Sequence, residues 1–250
     1  MIELHNLEKS FGDHHVLKDV SANFERGKVN FVIGRSGSGK SVMTKCTVGL
    51  IEPDSGFVLF DGRDFTSMSQ KDRRGIRQEI GMLFQGSALF DSMTVLKNVE
   101  FPLLMLSHMS EMERRNRAMA CLERVELGDA STRFPSECSG GMHNRIGIAR
   151  AIAMNPKYLF CDEPNSGLDP QTAIVIDNLI SDITSENQIT TVVVSHDMNS
   201  VMEASDTIHF VHQGSICWHG NREGLLDGGV RELEDFVFAS DLMRKIRSTI

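Results

Sequence analysis

The sequence predicts an α/β fold with a helical lobe inserted into it. Short runs rich in β-branched and aromatic residues alternate with helical patterns before about residue 94 and again after Pro156. Between them, from about Thr94 to Arg133, the β signal disappears and apolar residues recur every three or four positions. These are Met112, Met119, Leu122 and Val125. With 250 residues, 40% of them hydrophobic, the chain can form one sizeable core and a smaller attached lobe.

The first elements lead into a glycine-rich loop. Apolar and polar residues alternate over residues 2–7 ahead of Gly12, which predicts a strand and a turn. Residues 29–33 form a short β-rich run, and residues 42–50 have a composition compatible with a helix. The order of this part of the chain is therefore strand, loop, helix.

The α/β alternation continues on both sides of the helical lobe. Further strands are predicted at residues 56–62, 80–85, 158–162 and 190–195, and a hairpin at residues 208–218 around Gly214. An amphipathic helix is predicted over residues 170–186. We expect residues 1–93 and 134–220 to form the core, residues 94–133 the lobe, and residues 221–250 a helical C-terminal extension.

Charge and cysteine content exclude several classes of protein. The formal net charge of -8 disfavours a nucleic acid or another polyanion as partner. Five cysteines without a CxxC pair indicate a reducing compartment, with neither a structural disulfide nor a zinc site. We expect no secretory signal and no membrane span, because no apolar run is long enough for either.

The glycine-rich loop has the pattern G-x-x-x-x-G-K-[ST] of a phosphate-binding loop. Its residues are Gly34, Arg35, Ser36, Gly37, Ser38, Gly39, Lys40 and Ser41, followed by Val42. Glycines let backbone N–H groups converge on phosphates, Lys40 reaches the terminal phosphates, and the Ser41 hydroxyl is a ligand for Mg²⁺. The loop predicts a nucleotide site, the alternative being a Gly/Ser-rich turn with no ligand.

Two adjacent acids, Asp162 and Glu163, stand at the end of the apolar strand predicted over residues 158–162. A carboxylate at such a strand end holds Mg²⁺ in phosphate-loop enzymes, which is the role we expect for Asp162. The alternative is a solvated acidic pair at a strand end. The phosphate-binding loop upstream favours the catalytic interpretation.

Between these two motifs lies Ser139-Gly140-Gly141, and the three together resemble the ATP-binding cassette (ABC) family over nearly the whole chain. The resemblance implies a phosphate-loop nucleotide hydrolase core, with a mixed sheet, helices and an antiparallel β subdomain. It implies ATP and Mg²⁺ as cofactors and Glu163 as the group that polarises the attacking water. Ser139, Gly140 and Gly141 would begin a helix that faces the phosphate loop of a second copy. A homodimer closed around two ATP molecules follows.

Four more positions match the family in the expected order. Gln85 would contact Mg²⁺ and sense a membrane partner, His196 would contact the terminal phosphate, and Asp169 would lie in a loop that crosses the dimer seam. Phe11 would stack on adenine. Each could instead serve packing or capping. The chain departs from the family at Cys138, where Leu is usual, and at Asn165, where Thr is more usual.

A single short cassette resembles the separate ATPase subunit of a transporter, bound to a permease on the cytoplasmic face of the inner membrane. Residues 86–103 are similar to the ATPase of the Mla-type, MCE-associated phospholipid transport system, which implies MCE-domain and accessory subunits. The permease would be contacted near Leu89–Val95, although these residues could also fill the lobe's own core. Alternatives are an importer of the methionine type, a lipoprotein transporter, or a soluble ABC ATPase of repair or regulation.

The C-terminal stretch from residue 230 places apolar residues at near-helical spacing. These are Leu233, Phe236, Val237, Met243 and Ile246. We expect this helix to pack on its own domain, the alternative being that it contacts a second copy or an accessory subunit.

Overall fold

A computed structural model describes residues 1–227 and 229–238. Its strands form two sheets. The antiparallel sheet has the order β2-β1-β4-β5, and the larger sheet has six strands in the order β10-β9-β3-β8-β7-β6. The strands are β1 (Ile2–Phe11), β2 (His14–Phe24), β3 (Val29–Ile33), β4 (Ser55–Phe60), β5 (Arg63–Asp64), β6 (Ile80–Leu83), β7 (Tyr158–Asp162), β8 (Thr190–Val194), β9 (Thr207–His212) and β10 (Ser215–Gly220).

Helices connect the strands and form a lobe after β6. They are α1 (Lys40–Thr47), α2 (Gln70–Gln78), α3 (Val95–Leu106), α4 (Glu111–Arg124), α5 (Gly140–Ile152), α6 (Pro170–Asn187), α7 (Met198–Ala204), α8 (Arg222–Asp227) and α9 (Arg231–Val237). Two 3₁₀ turns, Gly128–Ala130 and Pro135–Glu137, link α4 to α5.

The central strands of the larger sheet are buried along their whole length. Every residue of β3, β7 and β8 is buried, as expected for parallel strands covered on both faces. β6, β7, β8, β3 and β9 run parallel, so their carboxyl ends meet at one edge of the sheet. In open α/β sheets this edge is where ligands bind.

The antiparallel sheet packs on the larger sheet through a second apolar core. Phe24, Phe60 and Tyr158 are fully buried in it. The rings of Phe60 and Tyr158 meet edge to face with their centroids 4.8 Å apart. This core continues to Met43 of α1 and therefore fixes the helix that follows the glycine-rich loop.

The helical lobe joins the main core through α5. Val99 and Leu103 of α3 and Ala118 and Leu122 of α4 are fully buried in the cluster that also contains the α5 core residues. α4 begins at a capping box in which Ser110 and Glu113 satisfy each other's backbone N–H groups. The lobe is thus anchored to the helix that begins at Gly140.

Most predicted elements are present, with shifted ends. Strand β7 and the hairpin β9–β10 lie where the sequence places them, whereas α1 begins at Lys40 and β6 ends at Leu83, two residues before Gln85. The prediction that Gln85 ends the strand is therefore wrong. Strand β2 and helices α2 and α7 have no counterpart in the sequence prediction.

The C-terminal prediction is confirmed only in part. The described part of the predicted extension contains two short helices, α8 and α9, and Leu233 and Val237 are buried on the chain's own core. Phe236 lies against Phe210, with ring centroids 5.5 Å apart. Met243 and Ile246 lie outside the described residues. Among the residues that the structure describes, no helix is long and apolar enough to cross a membrane.

Candidate functional site

The phosphate-binding loop joins β3 to α1 and leaves the start of α1 open. Gly39 occupies the N-cap position with φ of 107°, and no side chain caps the helix there. The first N–H groups of α1 therefore have no side-chain cap, and such a helix N-terminus attracts phosphate. Gly34 is required for close packing, because a Cβ at this position would lie 2.2 Å from the Val211 carbonyl oxygen.

Lys40 turns its side chain back into the loop. It is 7% exposed, and its Nζ donates to the carbonyl oxygens of Gly34 at 2.7 Å and Arg35 at 3.0 Å. Burial lowers the pKa of Lys40, while the charges of Glu163 and Asp162 oppose this shift. The loop thus holds a desolvated cation at the place where terminal phosphates are expected.

Asp162 has the properties of a ligand for a cation. Its carboxylate is 7% exposed, and its Oδ1 is buried without a hydrogen-bond partner among the described residues. Burial, followed by the charge of Glu163, raises the pKa of Asp162, whereas the charges of Lys45 and Lys40 and the neighbouring Ser41 side chain oppose this shift. A hydroxyl beside an unpartnered carboxylate oxygen fits Mg²⁺, which prefers oxygen ligands. Ser41 and Asp162 would hold this ion beside Lys40.

Glu163 and His196 meet at the carboxyl ends of β7 and β8. The His196 Nδ1 lies 2.7 Å from the Glu163 Oε2. The Glu163 side chain is 15% exposed and that of His196 is 63% exposed, so the pair closes one wall of an open cleft. The cleft measures about 810 Å³ and is also lined by Arg35, Ser195 and Gly167. A carboxylate oriented by an imidazole can align a water molecule for attack on a phosphoryl group.

Ser139 and Asp169 are N-caps of neighbouring helices. The Ser139 Oγ accepts from the Met142 N–H at 3.3 Å, and the Asp169 carboxylate accepts from the N–H groups of residues 171 and 172. A Cβ at Gly141 would lie 2.6 Å from the Thr172 methyl group, so this glycine allows α5 and α6 to start side by side. Ser139 and Asp169 are exposed and do not line the cleft.

Gln85 and Phe11 are exposed and also lie outside the cleft lining. Phe11 is 49% exposed, and the Lys9 Nζ lies 5.6 Å from the centre of its ring. Cys138 is half-buried against the main core, and its Sγ lies 3.5 Å from the Phe134 carbonyl oxygen. The contacts of Phe11 and Cys138 named here are therefore with residues two and four positions away in the sequence.

Two polar connections behind the site were not predicted from the sequence. Asn144 of α5 is 8% exposed; its Nδ2 donates to the Pro164 carbonyl oxygen at 2.7 Å, and its Oδ1 accepts from the Ser87 hydroxyl at 2.5 Å. Asn165 donates to Asp177 of α6 and to a residue of α7. A polar residue on the buried face of a predicted helix is the signal that could have indicated both connections.

Comparisons with known proteins agree with this geometry. Residues 17–166 match the family model described as ABC transporter. The chain belongs to this family. It is therefore an ATPase subunit of the ABC transporter type, with ATP and Mg²⁺ as cofactors.

Two curated relatives cover most of the chain. The probable ribonucleotide transport ATP-binding protein mkl of Mycobacterium leprae (strain TN) is 39% identical over 94% of this chain and 68% of its own length. The methionine import ATP-binding protein MetN of Carboxydothermus hydrogenoformans is 41% identical over 88% of this chain and 66% of its own length. The chain thus spans about two thirds of the length of these relatives.

Solved structures match the fold along almost the full chain. A dimeric structure of MJ0796, described as a bacterial ABC transporter cassette, has a TM-score of 0.82 at 34% identity, covering 89% of this chain and 99% of that one. The same cassette in a post-hydrolysis state bound to ADP and Pi has a TM-score of 0.81. The cbiO1 structure from Clostridium perfringens, part of the complex cbiONQ, has a TM-score of 0.84 at 28% identity. The predicted α/β cassette fold is confirmed.

Proposed function

We propose that this chain forms a homodimer around two ATP molecules and that ATP hydrolysis in the dimer drives a membrane permease. The observation that supports this most is the meeting of Lys40, Asp162, Glu163 and His196 at one edge of the parallel sheet. Dimeric structures of the similar cassette MJ0796 support the assembly. The dimer would place Ser139, Gly140 and Gly141 of one copy opposite the glycine-rich loop of the other.

Each site residue has a proposed role. Backbone N–H groups of residues 34–41 and the Lys40 ammonium bind phosphate oxygens, since both are donors directed at the loop. Ser41, Gln85 and Asp162 hold Mg²⁺, which neutralises phosphate charge when bound. Glu163 orients the attacking water, and His196 contacts the terminal phosphate and fixes the Glu163 carboxylate. Phe11 supports the adenine ring, and Asp169 lies at the dimer seam.

The Glu163→Gln variant tests the catalytic assignment. Glutamine keeps the shape of the side chain but removes the basic carboxylate, so we expect ATP binding at the parental affinity and a turnover lowered about 10²- to 10⁴-fold. Steady-state phosphate release and nucleotide titration measure the two quantities. Glu111→Gln, at an exposed acid outside the cleft, serves as the matched control. Hydrolysis by Glu163→Gln at the parental rate would remove Glu163 from the mechanism.

The proposed permease surface is narrower than the sequence predicts. Val95 is fully buried in the core and cannot contact a partner, which corrects that end of the predicted segment. Phe90 is 39% exposed and packs against Phe101 in a tilted arrangement with ring centroids 4.7 Å apart, while Leu89 packs against the core. Residues 89–94 therefore remain as the proposed contact, with Phe90 as its apolar centre. Exposed apolar side chains continue along the lobe at Leu104, Met105, Met109 and Met112.

Co-purification with a multi-span membrane protein tests this surface. A charge at Phe90 removes apolar area without touching the cleft, so Phe90→Asp is expected to lose the partner and keep the isolated chain's ATPase activity. An equal charge change at an exposed apolar residue away from this lobe, Phe57→Asp, is the control. Retention of the partner by Phe90→Asp would exclude this segment as the docking surface.

We propose two alternative kinds of cargo. Phospholipid transport with MCE-domain and accessory subunits rests on the resemblance of residues 86–103. Import of a small molecule is supported better by the names of the relatives, which concern methionine import and ribonucleotide transport. Reconstitution of the chain with its permease, followed by transport of labelled phospholipid and labelled methionine in parallel, separates the two. Placement on the inner face of the inner membrane, through the permease, belongs to the same proposal.

A further inference from the structure

We infer that Asn165 and Asp177 are positioning residues for ATP hydrolysis, which hold the loop of Glu163 against the helix that follows His196. This inference rests on the proposed function of Glu163. The two residues lie outside every motif used above, and Asn165 stands where Thr is more usual in the family.

The hydrogen bonds of Asn165 connect three separate elements. Its Nδ2 donates to the Asp177 Oδ1 of α6 at 2.7 Å and to the Ser200 Oγ of α7 at 2.9 Å. The Ser200 hydroxyl, which accepts from Asn165, donates in turn to the Asp197 Oδ2 at 3.4 Å. One amide thus joins the chain two residues after Glu163 to the helix that begins two residues after His196.

The backbone at Glu163 requires such support. Glu163 has φ of 52°, in the left-handed region that a residue with a side chain adopts at a cost of about 1 kcal/mol or more. Its N–H donates to the Val194 carbonyl oxygen of β8 at 2.9 Å, which fixes one side of the peptide. The amide of Asn165 fixes the chain on the other side, and the carboxylate is thereby directed at the imidazole 2.7 Å away.

The hydrogen bonds of Asn165 form in a buried environment. Asp177 is 4% exposed, and burial raises its pKa, a shift that the Asn165 amide and the neighbouring Ser200 hydroxyl oppose. The Asn165 Oδ1 is buried without a partner among the described residues, an arrangement that does not favour stability. The presence of asparagine here is better explained by the way its Nδ2 orients Asp177 and Ser200.

Steady-state ATPase kinetics of the full chain test the inference. Asn165→Ala and Asp177→Ala each release the loop, so kcat should fall about 10- to 100-fold with the KM for ATP changed less than about 3-fold. The two effects should not multiply in the double variant, because both residues act through one connection. Asp177→Asn keeps an acceptor for the Asn165 amide and should restore kcat to within about 3-fold. Asp182→Asn, an exposed acid on the same helix, is the matched control.

The outcomes separate this inference from the catalytic role of Glu163. Urea unfolding first selects the variants that remain folded; if Asp177→Ala does not fold, Asn165→Ala decides. Parental kcat in folded Asn165→Ala, or a raised KM with unchanged kcat, overturns the positioning role while Glu163→Gln stays inactive. In the Glu163→Gln background, Asn165→Ala should cause no further loss of turnover. Parental turnover by Glu163→Gln would instead overturn the proposed function itself.

Discussion

Replacing Asn144 by leucine should destabilise the protein strongly, although the two side chains are close in size. The Asn144 amide donates to the Pro164 carbonyl oxygen and accepts from the Ser87 hydroxyl, and both Ser87 and Pro164 are buried. Leucine would leave both partners without this bond inside the core. Each unsatisfied buried group costs about 1–3 kcal/mol, so we expect a loss of about 2–6 kcal/mol in the free energy of unfolding.

Equilibrium unfolding in urea, followed by tryptophan fluorescence and circular dichroism, measures this loss. Asn178→Leu, the same exchange at an exposed position of α6, should change the free energy of unfolding by less than about 0.5 kcal/mol. Agreement of the two probes would show that unfolding remains two-state. A loss below about 1 kcal/mol for Asn144→Leu would show that the two hydrogen bonds contribute little over a buried apolar side chain.

Three further predictions concern the loop, the sheet and pH. Lys40→Met should bind ATP at least about 10-fold more weakly in a calorimetric titration, yet unfold at the same temperature or higher, because a desolvated charge is removed; parental affinity would contradict it. Gly81→Ala should lower the melting temperature, because its Cβ would lie 2.3 Å from the Ala151 carbonyl oxygen, whereas the open Gly75 should tolerate alanine. Burial, then the charge of His219, lowers the pKa of His209 from 6.5 to about 4. The unfolded chain therefore binds this proton more readily, and stability should fall by about 3 kcal/mol as the pH decreases from about 6.5 to 4. In His209→Phe, the free energy of unfolding measured in urea should depend less on pH between about 6.5 and 4. An unchanged pH dependence would show that another group causes it.

The glycine-rich loop and the acidic strand end could be predicted because their chemistry depends on local spacing. A strand followed by G-x-x-x-x-G-K-S can form a phosphate cradle with few alternatives, and a fully apolar strand ending in two acids predicts where those acids lie. The helical lobe was equally visible, because its apolar residues repeat at a helical period.

Other elements gave no clear local signal. Strand β2 contains a β-bulge in its pairing with β1 and begins with exposed histidines, so its apolar residues do not alternate cleanly. Helix α2 has a mostly charged sequence and is defined by its Ser69 cap, where the hydroxyl accepts from the Asp72 N–H. The buried polar bonds of Asn144 and Asn165 depend on contacts 12 to 57 residues apart in the chain.

The kind of chemistry and the elements that carry it can be predicted from local patterns, namely a phosphate loop, an acidic strand end and a glycine pair after a capping serine. Three features depend instead on the packing of the folded chain: the contact of the Glu163 carboxylate with the His196 imidazole, the burial of Val95 beside an exposed Phe90, and the connection that Asn165 makes between three elements. Hydrogen-bond partners and burial are set by contacts between distant segments, which spacing along the chain does not specify.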